Sequence, residues 1–134
     1  MIKVTVIVPC YNEQATIGQL LEAIYNQTYP KNELEVVVAD GLSTDNTRKL
    51  VKDYQDMHPD LQIRLIDNLR RVIPSGLNRA IEAAKGIYIV RMDAHSIPNY
   101  DYIQKCVEGL EANLGENIGG TWEIQPGSTN RDTS

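Results

Sequence analysis

Short apolar runs rich in β-branched residues alternate along this chain with segments in which apolar residues recur at helical spacing. The runs 4–9 and 35–39 are apolar on both faces, which is typical of strands buried between layers of helices. Helical stripes follow them, formed by Ile17, Leu20, Leu21 and Ile24 and by Thr47, Leu50, Val51 and Tyr54. Strands that alternate with helices predict a mainly parallel sheet built with right-handed crossovers.

The rest of the chain continues this alternation. Residues 61–66 and 87–92 are predicted strands, and 118–124 is a predicted further strand. Two more helices are predicted, one with Leu77, Ala80, Ile81 and Ala84 that ends at Gly86 and one with Ile103, Cys106, Val107 and Leu110. The predicted fold class is α/β, with three layers in α/β/α order, in one domain spanning residues 1–134.

Charge and composition exclude several classes of protein. The formal net charge is -5, and the longest basic run is Arg70-Arg71, which argues against a nucleic-acid partner. No apolar run approaches the roughly 20 residues that span a bilayer, and no signal peptide is evident. Cys10 and Cys106 match no redox or metal motif, so we expect small core residues in a cytoplasmic protein.

The helix starts are predicted from capping residues. Asn12 is a good N-cap for a first helix that begins at Glu13, and Ser43 or Thr44 can cap the second. Asp45 then falls in the first turn of that helix, where its charge meets the helix dipole favourably, and this favours a structural role.

Three polar clusters follow predicted strands, at 11–13, 40–45 and 93–96. If the strand order is 3-2-1-4, the order reverses between the first and fourth strands. Ligands of such sheets bind at this switch point, beyond the carboxyl ends of the strands. The sequence therefore predicts one site to which all three clusters contribute.

Asp93 and His95 are two residues apart just past a strand, where an extended backbone sends both side chains to one side. A carboxylate and an imidazole form half a metal site, and diphosphate oxygens can complete the coordination of Mg²⁺ or Mn²⁺. The imidazole favours Mn²⁺. The alternative is a turn-forming aspartate beside a surface histidine.

The other two clusters offer groups for a nucleoside. Asp40 ends the second strand and can accept a hydrogen bond from a base N–H or a sugar hydroxyl. Tyr11 can stack on a base, and Glu13 can reach a ribose hydroxyl, although both also suit a helix start. Arg70 and Arg71 could pair with phosphate, or be solvated loop residues.

Absent motifs narrow the choice of phosphate site. The first strand is not followed by G-x-G-x-x-G, which disfavours a dinucleotide-binding enzyme, and no G-x-x-x-x-G-K-[ST] occurs, which excludes a P-loop. A phosphoacceptor receiver domain is disfavoured because the first strand ends in Pro9-Cys10-Tyr11-Asn12-Glu13 rather than an acidic pair.

Three motifs together resemble family 2 glycosyltransferases. These are Val8-Pro9-Cys10-Tyr11-Asn12-Glu13, Asp40-Gly41-Leu42-Ser43-Thr44-Asp45-Asn46-Thr47 and Arg91-Met92-Asp93-Ala94-His95. The motifs stand in the family's order and spacing, and the similarity covers essentially the whole chain. Together with Pro74-Ser75-Gly76-Leu77-Asn78, they look most like the bacterial exopolysaccharide enzymes of the succinoglycan type.

The resemblance implies a GT-A fold, a nucleotide-diphosphate sugar donor, expected to be a uridine diphosphate sugar, and a divalent metal, Mn²⁺ or Mg²⁺, at Asp93 and His95. It further implies a nucleotide site formed by Pro9, Tyr11, Glu13, Asp40, Arg71, Asn78 and Asp93. The acceptor is expected to be a saccharide or a lipid-linked sugar, at the inner face of the cell membrane.

Two positions depart from the family pattern. His95 replaces the usual second aspartate, and Leu77 stands where many members carry an arginine, a phosphate contact that Arg71 could supply. Family members also continue into an acceptor-binding half that carries the catalytic carboxylate. We therefore expect a truncated domain that binds nucleotide and metal but turns over poorly. A non-catalytic binding module with the same fold is the alternative.

Overall fold

The computed structural model describes residues 2–68 and 86–112, and the backbone of 122–124. These ranges contain the strands β1 (Val4–Cys10), β2 (Leu34–Asp40), β3 (Gln62–Asp67), β4 (Tyr88–Arg91) and β5 (Trp122–Ile124). They also contain the helices α1 (Ile17–Tyr25), α2 (Thr47–Met57) and α3 (Tyr102–Ala112), and a 3-10 turn at Lys31–Glu33. Every helix in these ranges is too short or too polar to cross a lipid bilayer.

The five strands form one sheet in the order β3-β2-β1-β4-β5, and each neighbouring pair is parallel. The predicted order of the first four strands is confirmed. β1 and β2 lie at the centre and every residue in them is buried, which explains their continuous apolar sequence. The switch point therefore lies between β1 and β4.

Alternate residues of the strands point to two separate apolar clusters. Val4, Val6 and Val8 of β1 pack on one face with buried side chains of all three described helices. Ile7 and Val37 belong to a smaller buried cluster on the other face. The helix predicted over Leu77 to Ala84 lies outside the described residues. Cys10 and Cys106 are both buried free thiols, which confirms the prediction that they are small core residues.

A buried polar tie links three strands inside the sheet. Glu35 of β2 is fully buried, and its carboxylate accepts hydrogen bonds from Thr5 Oγ1 at 2.7 Å and Arg64 Nη2 at 3.0 Å. Thr5 Oγ1 in turn accepts a hydrogen bond from Gly86 N at 2.9 Å. A buried carboxylate without partners would be costly, so these bonds fix the register at this point.

Gly86→Ala is expected to destabilise the protein by about 2 kcal/mol, because an added methyl group would be crowded against the backbone of β1. A Cβ at Gly86 would lie 2.6 Å from Thr5 N and 2.8 Å from Val4 C, which are backbone atoms that cannot rotate away. Chemical denaturation measures the loss. Gly109→Ala in α3 is the matched control, since no heavy atom lies within 4 Å of its Cβ position. Equal denaturation midpoints for the two variants would contradict the expectation.

The predicted helix starts are wrong at both helices. α1 begins at Ile17, and Asn12 adopts a left-handed φ of 52° four residues before its N-cap position, Thr16. α2 begins at Thr47 with Asn46 at the N-cap position, rather than Ser43 or Thr44. The physical reason is that Asn12, Ser43 and Thr44 bind each other across the sheet edge instead of capping a helix.

Candidate functional site

The site lies at the carboxyl edge of the sheet, where β1, β2 and β3 end side by side. The register pairs Cys10 with Asp40 and Asp40 with Asp67, so three strand ends are aligned. β4 runs along the other side of β1 and leads into Asp93. The sheet thus brings the three predicted polar clusters to one edge, as the sequence predicted.

The loops after β1 and β2 are joined by a network of side-chain hydrogen bonds. Asn12 Oδ1 accepts hydrogen bonds from the backbone N–H of Thr44 at 2.8 Å and of Asp45 at 3.3 Å. In return, Asn12 N donates to Ser43 Oγ and Glu13 N donates to Thr47 Oγ1, both at 2.8 Å. Asn12 therefore fixes the second loop. These hydrogen bonds also stabilise the left-handed backbone conformation of Asn12.

Asp45 has a structural role in this network, as the sequence predicted. It precedes α2 and its Oδ1 accepts a hydrogen bond from Thr47 N at 2.9 Å, which satisfies one of the free N–H groups at the helix start. Partial desolvation raises the pKa of Asp45, but the hydrogen bonds from Thr47 outweigh it. The pKa of Asp45 is therefore below its ordinary value. Leu42 has a φ of 61°, a conformation that L residues rarely adopt, so this loop also stores backbone strain.

Asp40 is fully buried at the end of β2 and accepts four hydrogen bonds. Its Oδ2 accepts from Ser43 N at 2.8 Å and from Arg48 Nη1 at 2.9 Å, and its Oδ1 accepts from Ser43 Oγ and from Cys10 Sγ at 3.4 Å. A carboxylate has about four acceptor positions, and all are used here. In this structure Asp40 anchors the loop 41–47 and holds no free acceptor for a ligand.

Cys10 and Arg48 complete the surroundings of Asp40. Burial, followed by the charge of Asp40, raises the pKa of the Cys10 thiol far above its ordinary value, so the thiol stays protonated and donates to Asp40. The hydrogen bond to Asp40 raises the pKa of Arg48, although partial burial opposes this shift. A protonated thiol and a permanent cation are the donors that a buried carboxylate requires.

Two residues of the first polar cluster present side chains that a ligand could meet. Tyr11 lies just beyond β1, and 37% of its surface is exposed. Glu13 is half-buried, and its carbonyl oxygen accepts the N–H groups of Thr16 and Ile17. Pro9 is buried within β1. Tyr11 is therefore an exposed aromatic residue at the described part of this edge.

The segment 93–96 forms a turn rather than an extended strand. β4 ends at Arg91, and the carbonyl oxygen of Asp93 accepts a hydrogen bond from Ser96 N at 2.9 Å. The expectation that extended backbone aligns Asp93 with His95 is therefore wrong. Buried and exposed side chains still alternate at this point, because Ala94 is buried in the core and His95 is exposed.

Asp93 and His95 supply a donor set that suits a divalent cation. Asp93 Oδ1 lies 3.3 Å from Arg91 Nη2, and 41% of the Asp93 side chain is exposed. Within the described ranges, no three His, Cys, Asp or Glu side chains come together in a way that could hold a metal. A carboxylate and an imidazole fit Mg²⁺ or Mn²⁺ bound through few protein ligands and substrate phosphates.

Asp67 is a residue of this edge that sequence reasoning missed. The predicted third strand stopped at Ile66, but β3 continues to Asp67, whose Oδ1 accepts a hydrogen bond from Arg48 Nη2 at 2.8 Å. The available signal was an acidic residue directly after a predicted strand, as at Asp40 and Asp93. The predicted site residues Arg71 and Asn78, and the arginine Arg70, lie outside the described residues.

A parallel sheet with polar loops gathered at its switch point defines the open α/β class of domain, whose ligands bind at that edge. The family model "Glycosyl transferase family 2" matches residues 5–134. The chain belongs to this family, and its fold is the GT-A glycosyltransferase fold, as the resemblance implied.

Characterised relatives support this placement. The succinoglycan biosynthesis protein ExoA of Rhizobium meliloti is 32% identical over 115 residues, which cover 84% of this chain and 34% of ExoA. A mannosyltransferase of Pyrobaculum calidifontis, PcManGT, solved with GDP-Man and Mn²⁺, is 42% identical with a TM-score of 0.77, over 81% of this chain and 32% of its own.

Staphylococcus aureus TarS, solved with UDP, is 27% identical with a TM-score of 0.71, over 84% of this chain and 33% of its own. The chain thus spans about a third of the length of these relatives, with shares of 34%, 32% and 33%.

Proposed function

We propose that this chain is a single nucleotide-sugar-binding domain of a longer, inverting glycosyltransferase that builds a polysaccharide or a glycolipid. The observation that carries the proposal is the placement of the family motifs at one sheet edge, with Asp93 beyond β4 and Tyr11 beyond β1. The two free thiols fit the reducing cytoplasm, so we place the donor site on the cytoplasmic side of the membrane.

Different residues of this edge are proposed to bind different parts of the donor. We assign a divalent cation to Asp93 and His95, and this cation would supply charge neutralisation for the departing diphosphate. We assign the Tyr11 ring to the nucleoside, and hydrogen bonds between the loops 11–14 and 41–47 hold the backbone next to Tyr11. We propose that the acceptor site and its carboxylate base belong to the remainder of a longer protein.

Two donor nucleosides are candidates. The sequence favoured a uridine diphosphate sugar, and TarS was solved with UDP. PcManGT, which shares 42% of its aligned residues with this chain, was solved with GDP-Man, and this favours guanosine as a second candidate.

We expect isothermal titration of the 134-residue chain with UDP and with GDP to show metal-dependent binding of at least one of them. Mn²⁺ or Mg²⁺ should be required because the diphosphate has no P-loop to hold it. Chelation by EDTA should weaken binding at least about tenfold, and the chain should release no sugar from a bound donor. Failure of both nucleotides to bind with either metal would refute the proposal.

A non-catalytic module with the same fold is the second candidate, because His95 replaces the usual second acidic ligand. Such a module would still bind nucleotide but would not consume a donor in any context. Sugar transfer or donor hydrolysis by the full-length protein distinguishes the two, since a module shows neither.

A further inference from the structure

Asp67 and Asp40 differ in what they can offer to a ligand, although they are register neighbours on β3 and β2. Asp40 is fully buried and all of its acceptor positions are occupied. The Asp67 side chain is 49% exposed, and among the described residues its Oδ2 accepts no hydrogen bond. Asp67 is therefore the carboxylate at this end of the edge that a ligand can reach.

Arg48 sets the position of Asp67. Its guanidinium bridges the two carboxylates, with Nη1 2.9 Å from Asp40 Oδ2 and Nη2 2.8 Å from Asp67 Oδ1. Four hydrogen bonds hold Asp40 in place. The contact with Asp40 therefore fixes the guanidinium of Arg48, and the second contact of Arg48 fixes Oδ1 of Asp67. Arg48 also places a positive charge between the two neighbouring carboxylates, which offsets their mutual repulsion.

The order of the strands places Asp67 at the nucleoside end of the donor. Strands β4, β1, β2 and β3 are consecutive neighbours about 4.8 Å apart, so about 14 Å separate β4 from β3 across the sheet. An extended nucleoside diphosphate with its phosphates at Asp93 can span that distance. It would pass Tyr11 at the end of β1 and bring its base to Asp67.

We propose that Asp67, positioned by Arg48, binds the Watson–Crick edge of guanine and thereby selects a GDP-sugar as the donor. Guanine presents two adjacent N–H donors, N1–H and the N2 amino group, to the two oxygens of one carboxylate. Uracil presents a single N–H between two carbonyl oxygens, which a carboxylate repels. This inference rests on the proposed nucleotide-sugar function and names its substrate class.

Asp67→Asn tests the proposal by the ratio of GDP to UDP affinity, measured by titration in Mn²⁺. Loss of one paired hydrogen bond and of the charge should weaken GDP binding about tenfold or more and leave UDP binding within about twofold. Asp53→Asn is the matched control, because Asp53 is 50% exposed and pairs with Lys49 on α2. It should change neither affinity.

Arg48→Gln provides a second, independent variant. It should lower the preference for GDP while Arg48→Lys restores part of it, because lysine can still pair with Asp67. Arg64→Gln is the control for lost stability, since Arg64 pairs with the buried Glu35 and is exposed to a similar extent, 33% against 30% for Arg48. It should leave the ratio of the two affinities unchanged.

The outcomes separate this inference from the function on which it rests. Binding of neither GDP nor UDP to the unaltered chain overturns the proposed function, and this inference with it. Tighter binding of UDP than of GDP, or an Asp67→Asn variant that weakens both equally or neither, overturns the inference and leaves the proposed function standing.

Discussion

Asp93→Ala is expected to raise the Kd of the chain for a nucleoside diphosphate in Mn²⁺ by about 100-fold, which corresponds to about 2.7 kcal/mol. Asp93 supplies the carboxylate of the proposed metal pair, and His95 would be left as the single ligand from that pair. The half-exposed Asp93 carboxylate touches Arg91 and no core residue is lost, so the variant should fold normally.

The sharper form of this experiment compares affinities with and without metal. In EDTA the unaltered chain and Asp93→Ala should bind equally weakly, because the carboxylate acts through the cation. Asp101→Ala is the control, since Asp101 precedes α3 and pairs with Lys105 at 3.2 Å. An equal response of unaltered chain and Asp93→Ala to Mn²⁺ would remove Asp93 from the site.

Asp40→Ala is expected to destabilise the protein by about 3 kcal/mol, because four donors lose their common acceptor. The two Ser43 donors at a half-buried position and the buried Cys10 thiol would lose this acceptor. Arg48 keeps its bond to Asp67, so the loss should stay below that of a fully broken buried ion pair. Urea denaturation measures the change.

Asp53→Ala on the exposed side of α2 is the control and should shift stability by less than about 0.5 kcal/mol. A similarly small loss for Asp40→Ala would show that Asp40 does not anchor the loop. Ligand binding, which the sequence predicted for Asp40, would then be its chief proposed role.

Much of the sheet could be predicted because its strands are buried on both faces. β1 and β2 need apolar residues at every position, and this composition is readable without knowledge of the fold. The strand order followed from the general rules of doubly wound sheets, which also predicted where the polar clusters would meet. The resemblance of the three motifs to family 2 then identified the family.

The helix starts could not be predicted because capping depends on which partner a polar side chain finds. Asn12 and Ser43 are both good capping residues by type. In the fold, Asn12 N donates to Ser43 Oγ and Asn12 Oδ1 accepts from Thr44 N, both at 2.8 Å. The local preference for capping a helix was therefore overridden by a hydrogen bond between residues 31 positions apart.

The sequence by itself determined the parallel sheet, the edge that carries the site and the family, because burial patterns and motif order are written along the chain. Only the tertiary structure decided which acids at that edge are free to act. Asp40 and Asp67 look alike as residues that end strands. Asp40 is buried among Arg48, the Cys10 thiol and the loop at Ser43, whereas Asp67 contacts Arg48 and stays half-exposed. Solvent access to each acid thus depends on neighbours that are distant in sequence.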